Sequence, residues 1–126
     1  MTDVMTETEA EVFARAWIDA WNSHDVVRIA AHYHDDVEYY SPFVARIAGE
    51  SCLRGRTAVR EYIAAALDRY PDLHFGPDLR VASGAGSVSI MYRSVEDLLA
   101  METLVFDADG LVVRAHCHYR SGSNAP

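Results

Sequence analysis

The fold is decided by residues 99–119, which read LAMETLVFDADGLVVRAHCHY. Apolar and polar residues alternate on both sides of Asp109-Gly110, and alternation with a period of two is typical of a half-buried β-strand. An Asp-Gly pair between two such runs is a strong signal for a tight hairpin turn. The stretch therefore predicts two antiparallel strands, Leu99–Phe106 and Leu111–Tyr119.

Two more strands are predicted upstream of this hairpin, at Leu73–Ala82 and Ser87–Arg93. Both have the period of two, and Ser83-Gly84-Ala85-Gly86 between them has the composition of a connecting turn. A short additional strand is predicted at Val37–Tyr40, where it ends at Ser41-Pro42. The C-terminal half of the chain is therefore expected to form a sheet.

The N-terminal half has helical periodicity instead. A first helix is predicted from Thr8, because Thr8 and Glu11 have the spacing of a capping box. Asp25 is expected to cap a second, short helix that includes Tyr33 and ends at Asp35-Asp36. A third helix is predicted to begin at Thr57 and end before Pro71.

Helices followed by antiparallel strands indicate an α+β domain, with the helices laid across one face of a curved sheet. The chain of 126 residues is long enough for one domain, residues 1–126, with its core at about 8–119. Residues 43–55 have no clear period and are expected to be a loop. The two ends, 1–6 and 121–126, are expected to be loose tails.

Composition and charge make some classes of function improbable. The net charge of −8 disfavours partners with phosphate backbones or anionic surfaces, so neither nucleic acid nor a membrane is expected. The acidic N-terminus is unlike a signal peptide, which favours a cytoplasmic protein. The chain has no lysine for a Schiff base, and Cys52 and Cys117 are expected to be reduced thiols.

Glu102 is the strongest candidate for a catalytic group. It shares a strand face with Leu104 and Phe106, so it lies either on an apolar inward face or at the beginning of the strand. A carboxyl group in an apolar pocket has a raised pKa and can stay protonated for proton donation. The alternative is a solvated Glu102, or one paired with Arg93.

No metal or cofactor site is predicted. His116 and His118 share one strand face, but no third ligand has a matching spacing, so outward or interface histidines are favoured. The sequence contains no GxSxG, Walker loop, dinucleotide fingerprint or HExxH motif, and no cofactor is expected. Tyrosine and tryptophan are numerous for a small domain, and their polar ends suggest that some of them line a pocket: Trp17, Trp21, Tyr33, Tyr39, Tyr40 and Tyr62.

Several short strings make the chain resemble the SnoaL-like branch of the nuclear transport factor 2-like superfamily. They are Ala20-Trp21-Asn22 with Asp25, His34-Asp35-Asp36-Val37 with Pro42, Gly55 with Val59-Arg60-Glu61-Tyr62, Pro71-Asp72-Leu73-His74-Phe75, and Phe106 with Asp109-Gly110. The resemblance implies a cone-shaped α+β barrel: three helices against a curved mixed sheet, enclosing a deep pocket, in a protein that is commonly a homodimer. Relatives include polyketide cyclases and ketosteroid isomerases, besides pocket proteins with no assigned reaction.

The ketosteroid isomerases suggest roles for individual positions. Their substrate-binding tyrosine falls on Trp17, and their protonated aspartate falls on Glu102. Their catalytic base falls on Ser41, which cannot serve as that base. Catalytic roles are therefore expected for Glu102 and Trp17, with a hydrophobic small molecule bound by Phe13, Trp21, Tyr33, Tyr39, Ser41, Tyr62, Ala115, Cys117 and Tyr119.

Three classes of function remain open at this point. The first is a cofactor-free enzyme that isomerises, cyclises or dehydrates a hydrophobic, oxygenated substrate. The second is a protein that binds an apolar ligand without changing it, with Glu102 bonded to Trp17 or to the ligand. The third is an association module with a filled interior; a cavity above about 300 Å³ would argue against this class.

Overall fold

An open, six-stranded sheet with helices on one side makes up residues 4–121, the part of the chain that the structure, a computed structural model, describes, apart from the side chains of residues 77 and 78. The helices are α1 (Glu7–Ser23), α2 (Val26–Ala30), α3 (Pro42–Ala48) and α4 (Arg56–Arg69). The strands are β1 (Tyr33–Tyr40), β2 (Cys52–Arg54), β3 (Gly76–Ser83), β4 (Ser87–Arg93), β5 (Leu98–Phe106) and β6 (Val112–Ser121). A single 3₁₀ turn, Val95–Asp97, connects β4 to β5.

The strands are arranged in the order β2-β1-β6-β5-β4-β3. All neighbouring pairs are antiparallel except β1 and β6, which run parallel, so the sheet is mixed and mostly antiparallel. The predicted α+β class is confirmed. The sheet is not closed into a barrel, because β2 and β3 remain as its two edges.

The predicted hairpin between β5 and β6 is confirmed. Leu104 pairs with Ala115 across it, and Gly110 in the turn has φ +83°, a conformation that glycine adopts without a steric penalty. The Asp107 carboxylate accepts hydrogen bonds from the backbone N–H groups of Asp109 at 2.8 Å and Leu111 at 2.9 Å. These bonds hold the turn and fix the register of the two strands.

Helix α1 begins two residues earlier than predicted. Its N-cap is Thr6, and the capping box forms between Thr6 and Glu9 rather than between Thr8 and Glu11. Both pairs have the same spacing, but only the earlier one follows an apolar residue, Met5, which is buried in the core. The prediction of a loose N-terminal tail is wrong for this segment, because the Met5 N–H also bonds the Gly84 carbonyl.

Helix α2 is capped by Asp25 as predicted, but it ends at Ala30. Tyr33 and the Asp35-Asp36 pair belong to β1, which begins earlier than the predicted Val37. Strand β1 pairs with β6, and the register shifts between Tyr33 and Glu38. Tyr33 and Val37 are four residues apart and both buried, because even spacing places them on one face of the strand; the same spacing also resembles a helical one in the sequence.

The segment predicted as a loop contains α3 and β2. Helix α3 starts at Pro42, where a proline is favoured because its missing N–H would have no helical partner. Helix α4 has Gly55 rather than Thr57 at its N-cap, with φ +91° and no capping side chain. A Cβ atom at Gly55 would lie 3.6 Å from the Asp35 carbonyl oxygen, so the positive φ, not space, requires glycine there.

The core lies between the helices and the inner face of the sheet. Its largest fully buried side chains include Trp17, Tyr33 and Tyr92. Within the described part of the chain, no helix has the length and apolarity needed to cross a membrane. The predicted C-terminal tail, 121–126, lies outside the described residues apart from Ser121, which ends β6.

Candidate functional site

Glu102 lies on the inner face of β5 with Leu104 and Phe106, which is the first of the two positions that the alternation left open. Only 1% of its surface is exposed, although it is a carboxylic acid. The Tyr92 hydroxyl donates a hydrogen bond to Glu102 Oε1 at 2.9 Å, and Oε2 has no hydrogen-bond partner within residues 4–121. Arg93 lies on the opposite face of β4, where its side chain contacts Asp97, so the alternative pairing with Arg93 does not form.

Burial raises the pKa of Glu102 from 4.5 to about 7. Removal from water disfavours the charged carboxylate, and the Cys117 thiol and Tyr92 hydroxyl oppose the effect by interacting with the charged form. No cation of the described residues forms an ion pair with it. The protonated form of Glu102 is therefore populated near neutral pH, as a general acid requires.

The groups that face Glu102 are almost all phenols. Burial raises the pKa of each tyrosine among them, and the ionic charge of Glu102 adds to the effect. The tyrosines are therefore neutral hydroxyl groups in the interior, able to donate and accept hydrogen bonds. They come from β1, α4, β4 and β6 and are Tyr33, Tyr39, Tyr62, Tyr92 and Tyr119.

Trp17 is fully buried beside this cluster but does not bond the carboxyl group. Its Nε1–H donates to the Tyr33 hydroxyl at 3.2 Å, and its rings pack against Tyr92 and Phe75. The predicted hydrogen bond between Glu102 and Trp17 is therefore not formed; the Glu102 partner is Tyr92. Tyr33 links Trp17 to the remaining tyrosines, with its ring edge-on to Tyr39 at 5.9 Å.

A narrow cavity of about 20 Å³ opens in front of the tyrosine cluster. This volume holds about one water molecule and is far below about 300 Å³, the lower end for a ligand pocket. Four of the predicted ligand-binding residues line it: Trp21, Tyr39, Tyr62 and Tyr119. Tyr92 also lines it, so Tyr92 connects the cavity to the buried acid behind it.

Trp21 lines the cavity with an indole N–H that is not fully satisfied. The side chain is 4% exposed, and Nε1–H makes no hydrogen bond of good geometry with the described residues, although it interacts with the Tyr33 hydroxyl and lowers the pKa of that phenol. A buried donor without a partner costs free energy. A water molecule, or an oxygen atom of a ligand, could satisfy it.

Ser41 contributes to the structure of the site rather than to its chemistry. Its hydroxyl accepts a hydrogen bond from the Phe43 N–H at 3.1 Å and caps α3. Ser41 also hydrogen-bonds the Tyr62 side chain, which works against the rise in the pKa of Tyr62 caused by burial. A serine in this position holds α3 against the cavity.

The other predicted ligand residues lie outside the cavity lining of the described chain. Phe13 packs edge-on against Phe106 at 4.8 Å and His32 at 5.7 Å. Ala115 is buried under the helices. The Cys117 thiol lies 3.9 Å from the Tyr92 hydroxyl, behind the cavity, and burial raises the pKa of this thiol.

Several residues of the site were missed by sequence reasoning. Tyr92 has the clearest signal, since it shares the inward face of β4 with Val88 and Ile90. Phe43 lies in the segment expected to be a loop, so the sequence did not predict whether its side chain faces the interior. The remaining missed residues that line the cavity are Ala66, Tyr70, Leu73, Phe75, Ser94 and Val95.

The arrangement of helices and sheet agrees with a comparison against known families. Residues 14–125 match the model of the SnoaL-like domain, which covers most of the chain. The chain belongs to the SnoaL-like family. The predicted relationship to this family is confirmed.

A SnoaL-like protein of unknown function from Burkholderia thailandensis has a similar structure, with a TM-score of 0.87 and 42% identity over 94% of this chain and 99% of that chain. A protein from Kribbella flavida, provisionally named a ketosteroid isomerase, has a TM-score of 0.69 and 21% identity over 93% and 82%. A provisionally named SnoaL-like isomerase from Agrobacterium tumefaciens has a TM-score of 0.73 and 15% identity over 90% and 98%. The last two share the fold alone. Among proteins with curated functions, none matches the sequence.

Among the side chains that the structure describes, histidine, cysteine, aspartate and glutamate form no group of three suited to a metal ion. His116 stacks on Tyr40 with ring centres 4.5 Å apart, and the exposed His118 lies within hydrogen-bond distance of the Met101 carbonyl oxygen. Both histidines therefore lie on the outer face of the sheet, away from Glu102.

Proposed function

We propose that this SnoaL-like protein binds a small, apolar molecule that carries an oxygen function, and that Glu102 donates a proton or a hydrogen bond to it. The supporting observation is the state of the Glu102 carboxyl group: it is fully buried, has no cationic partner among the described residues, and has one oxygen free. Burial of a carboxyl group without a cationic partner costs folding free energy when the group is ionised, and groups with such a raised pKa cluster at functional sites.

The chemistry that suits the site is general acid catalysis without a cofactor. A protonated Glu102 can stabilise the oxygen of a carbonyl group as negative charge develops on it during isomerisation, aldol cyclisation or dehydration. Tyr92 bonds Glu102 and lines the cavity, so a protonated Glu102 can donate to the Tyr92 oxygen while the Tyr92 O–H turns to donate to the ligand, the reverse of the bond direction in the structure. The provisional isomerase names of two structural neighbours point to the same class of reaction.

The ligand must displace side chains or widen the entrance, because the cavity holds only about one water molecule. A larger cleft of about 380 Å³ adjoins the cavity and shares Tyr70, Leu73, Ser94 and Val95 with it. The ligand therefore needs a slender end that carries its oxygen function into the cavity and a wider part that stays in the cleft.

A ligand-binding role without catalysis is the second candidate. The Ser41 hydroxyl replaces the expected base and is used to cap α3, and no second carboxylate of the described residues acts on Glu102. A proton donor without a base can hold a ligand and leave it unchanged.

An association module is the third candidate, and the small cavity favours it. The homodimer implied by the family resemblance would use the outer face of the sheet. That face is mixed in character: Met101 is 45% exposed, Ser89 and Thr103 share a hydrogen bond of 2.9 Å, and Arg114 forms an ion pair with Glu38.

Cyclohexanone is a suitable probe to separate the three candidates. Its binding is followed by the fluorescence of Trp21, and exchange of its α-hydrogens in D₂O is followed by proton NMR. Faster exchange with the natural protein than with Glu102→Gln supports the enzyme. Binding with exchange no faster than in buffer supports the binding protein, and no binding at all supports the association module.

The control for this experiment is Glu38→Gln. Glu38 also accepts a hydrogen bond from a tyrosine, Tyr40, but it lies on the outer face of the sheet and far from the cavity lining. The control should behave like the natural protein in both measurements.

A further inference from the structure

The cavity and the outer cleft meet at a neck formed by Tyr70, Leu73, Ser94 and Val95, which line both spaces. The inner volume is about 20 Å³ and the outer one about 380 Å³. The width of this neck therefore decides what can pass from the cleft to the tyrosine cluster.

Three polar side chains from three separate elements meet at this neck. Arg46 of α3 contacts both carboxylate oxygens of Glu96, at 2.9 and 3.1 Å, and the Tyr70 hydroxyl at 3.0 Å. The Tyr70 hydroxyl in turn donates to Glu96 Oε2 at 2.9 Å. The cluster connects α3, the end of α4 and the turn between β4 and β5.

The backbone of that turn needs such support. Glu96 and Asp97 have φ values of +58° and +57°, the left-handed region that residues other than glycine rarely adopt. A strained conformation of this kind persists only where its surroundings hold it. The bonds of Glu96 to Arg46 and Tyr70 hold it from one side, and the Ser94 N–H bond to the Leu98 carbonyl at 2.7 Å holds it from the other.

The cluster is also coupled to the cavity wall. The Arg46 guanidinium lies 4.4 Å from the centre of the Phe43 ring, and Phe43 lines the cavity. Phe43 packs edge-on against Tyr70 at 5.9 Å and Tyr119 at 4.7 Å. Release of Arg46 from Glu96 therefore frees one side of the wall and one side of the neck together.

We propose that Arg46, Tyr70 and Glu96 form a gate that closes the neck and controls entry to the cavity. The ion pair suits this task because its two side chains are 45% and 46% exposed, so water can replace the bonds when the gate opens. The bonds to Tyr70 and Arg46 lower the pKa of Glu96, so the carboxylate stays charged near neutral pH and the gate stays closed. The proposal rests on the proposed function only in taking the cavity as the ligand site.

The test measures access to the cavity and needs no ligand. Both tryptophans of the chain are in the interior, and Trp21 lines the cavity, so acrylamide quenching of tryptophan fluorescence reports how often a small neutral molecule enters. Removal of an exposed ion pair shifts an opening equilibrium by about two- to five-fold. We expect Glu96→Gln to increase the quenching constant by about this factor, with the cooperative unfolding transition retained.

The matched control is again Glu38→Gln, because Glu38 has the same kinds of partner, the Tyr40 hydroxyl and Arg54, on the outer face of the sheet. Equal quenching of both variants and the natural protein would overturn the gate, whatever the protein binds. If Glu96→Gln does not fold, Tyr70→Phe keeps the ring on Phe43 and removes only the hydroxyl; it should also increase quenching. If Glu96→Gln increases quenching but the protein does not bind cyclohexanone, the gate is supported and only the proposed function is refuted.

Discussion

Replacement of Glu102 by glutamine tests the buried acid directly. Glutamine has nearly the same shape and carries no charge at any pH, so the variant keeps the packing of β5 and loses only the titration. Its amide can still accept the hydrogen bond that Tyr92 donates. The variant should fold, and any difference in stability that changes with pH then belongs to the Glu102 carboxyl group.

The magnitude follows from the pKa of Glu102 in the two states. Folding raises it from 4.5 to about 7, and each pKa unit corresponds to 1.36 kcal/mol, so ionised Glu102 costs the fold roughly 3 kcal/mol. Between these two pH values the folded protein binds more protons than the unfolded chain, so the free energy of unfolding falls as the pH rises. Below about 4.5 the cost is absent, and above about 7 it is complete.

We therefore expect the free energy of unfolding of Glu102→Gln, relative to the natural protein, to increase by roughly 3 kcal/mol between pH 4.5 and pH 8.5. Urea unfolding followed by tryptophan fluorescence at four pH values gives this difference. Any effect of the glutamine amide on stability that is independent of pH cancels, because only the change of the difference with pH is used. The surface variant Glu38→Gln should show no such increase. A difference for Glu102→Gln that stays constant with pH would mean that Glu102 titrates as in water, and the argument from burial would be wrong.

Three further substitutions separate core, cap and site. Trp17→Ala removes a side chain with no exposed surface and should lower the free energy of unfolding, measured by urea unfolding, by roughly 3–5 kcal/mol. A much smaller loss would mean that Trp17 borders open space rather than a packed core. Ser41→Ala removes the cap of α3 and should cost about 1 kcal/mol, whereas Ser41→Asn, which can cap, should recover part of it. Tyr92→Phe should raise the pKa of Glu102 further, because the Tyr92 hydroxyl lowers it. The pKa is measured from the infrared band of the protonated carboxyl group, which is assigned by its loss in Glu102→Gln. An unchanged pKa would contradict the hydrogen bond between Tyr92 and Glu102.

The sheet was predictable because its signals are local. The alternation in β4, β5 and β6 and the Asp109-Gly110 turn each depend on neighbouring residues, and the structure reproduces them with shifts of one or two residues at the ends. The same alternation placed Glu102 on one face with Leu104 and Phe106, and a solvated position at the beginning of the strand stayed open as the alternative. Asp25 was predicted as a helix cap for a similarly local reason.

Errors arose where pairing at long range overrides the local pattern. Tyr33 has a helical spacing from Ile29 but joins β1, because β6 is available beside it. Helix α3 was missed because its seven residues are short and have no clear period. Phe43 and the gate residue Arg46, both on that helix, could not be assigned to the site for the same reason.

By itself, then, the sequence determined the α+β class and the four C-terminal strands, since these depend on periodicity and turn chemistry within short windows, and it left Glu102 either on the inward face or at the beginning of its strand. Only the tertiary structure decided that Tyr92, rather than Trp17, bonds Glu102, and that the interior is nearly filled. Both facts depend on side chains from strands and helices that are distant in sequence and meet only when the core packs. The size of a cavity is the small difference between the space that the fold encloses and the volume of those side chains.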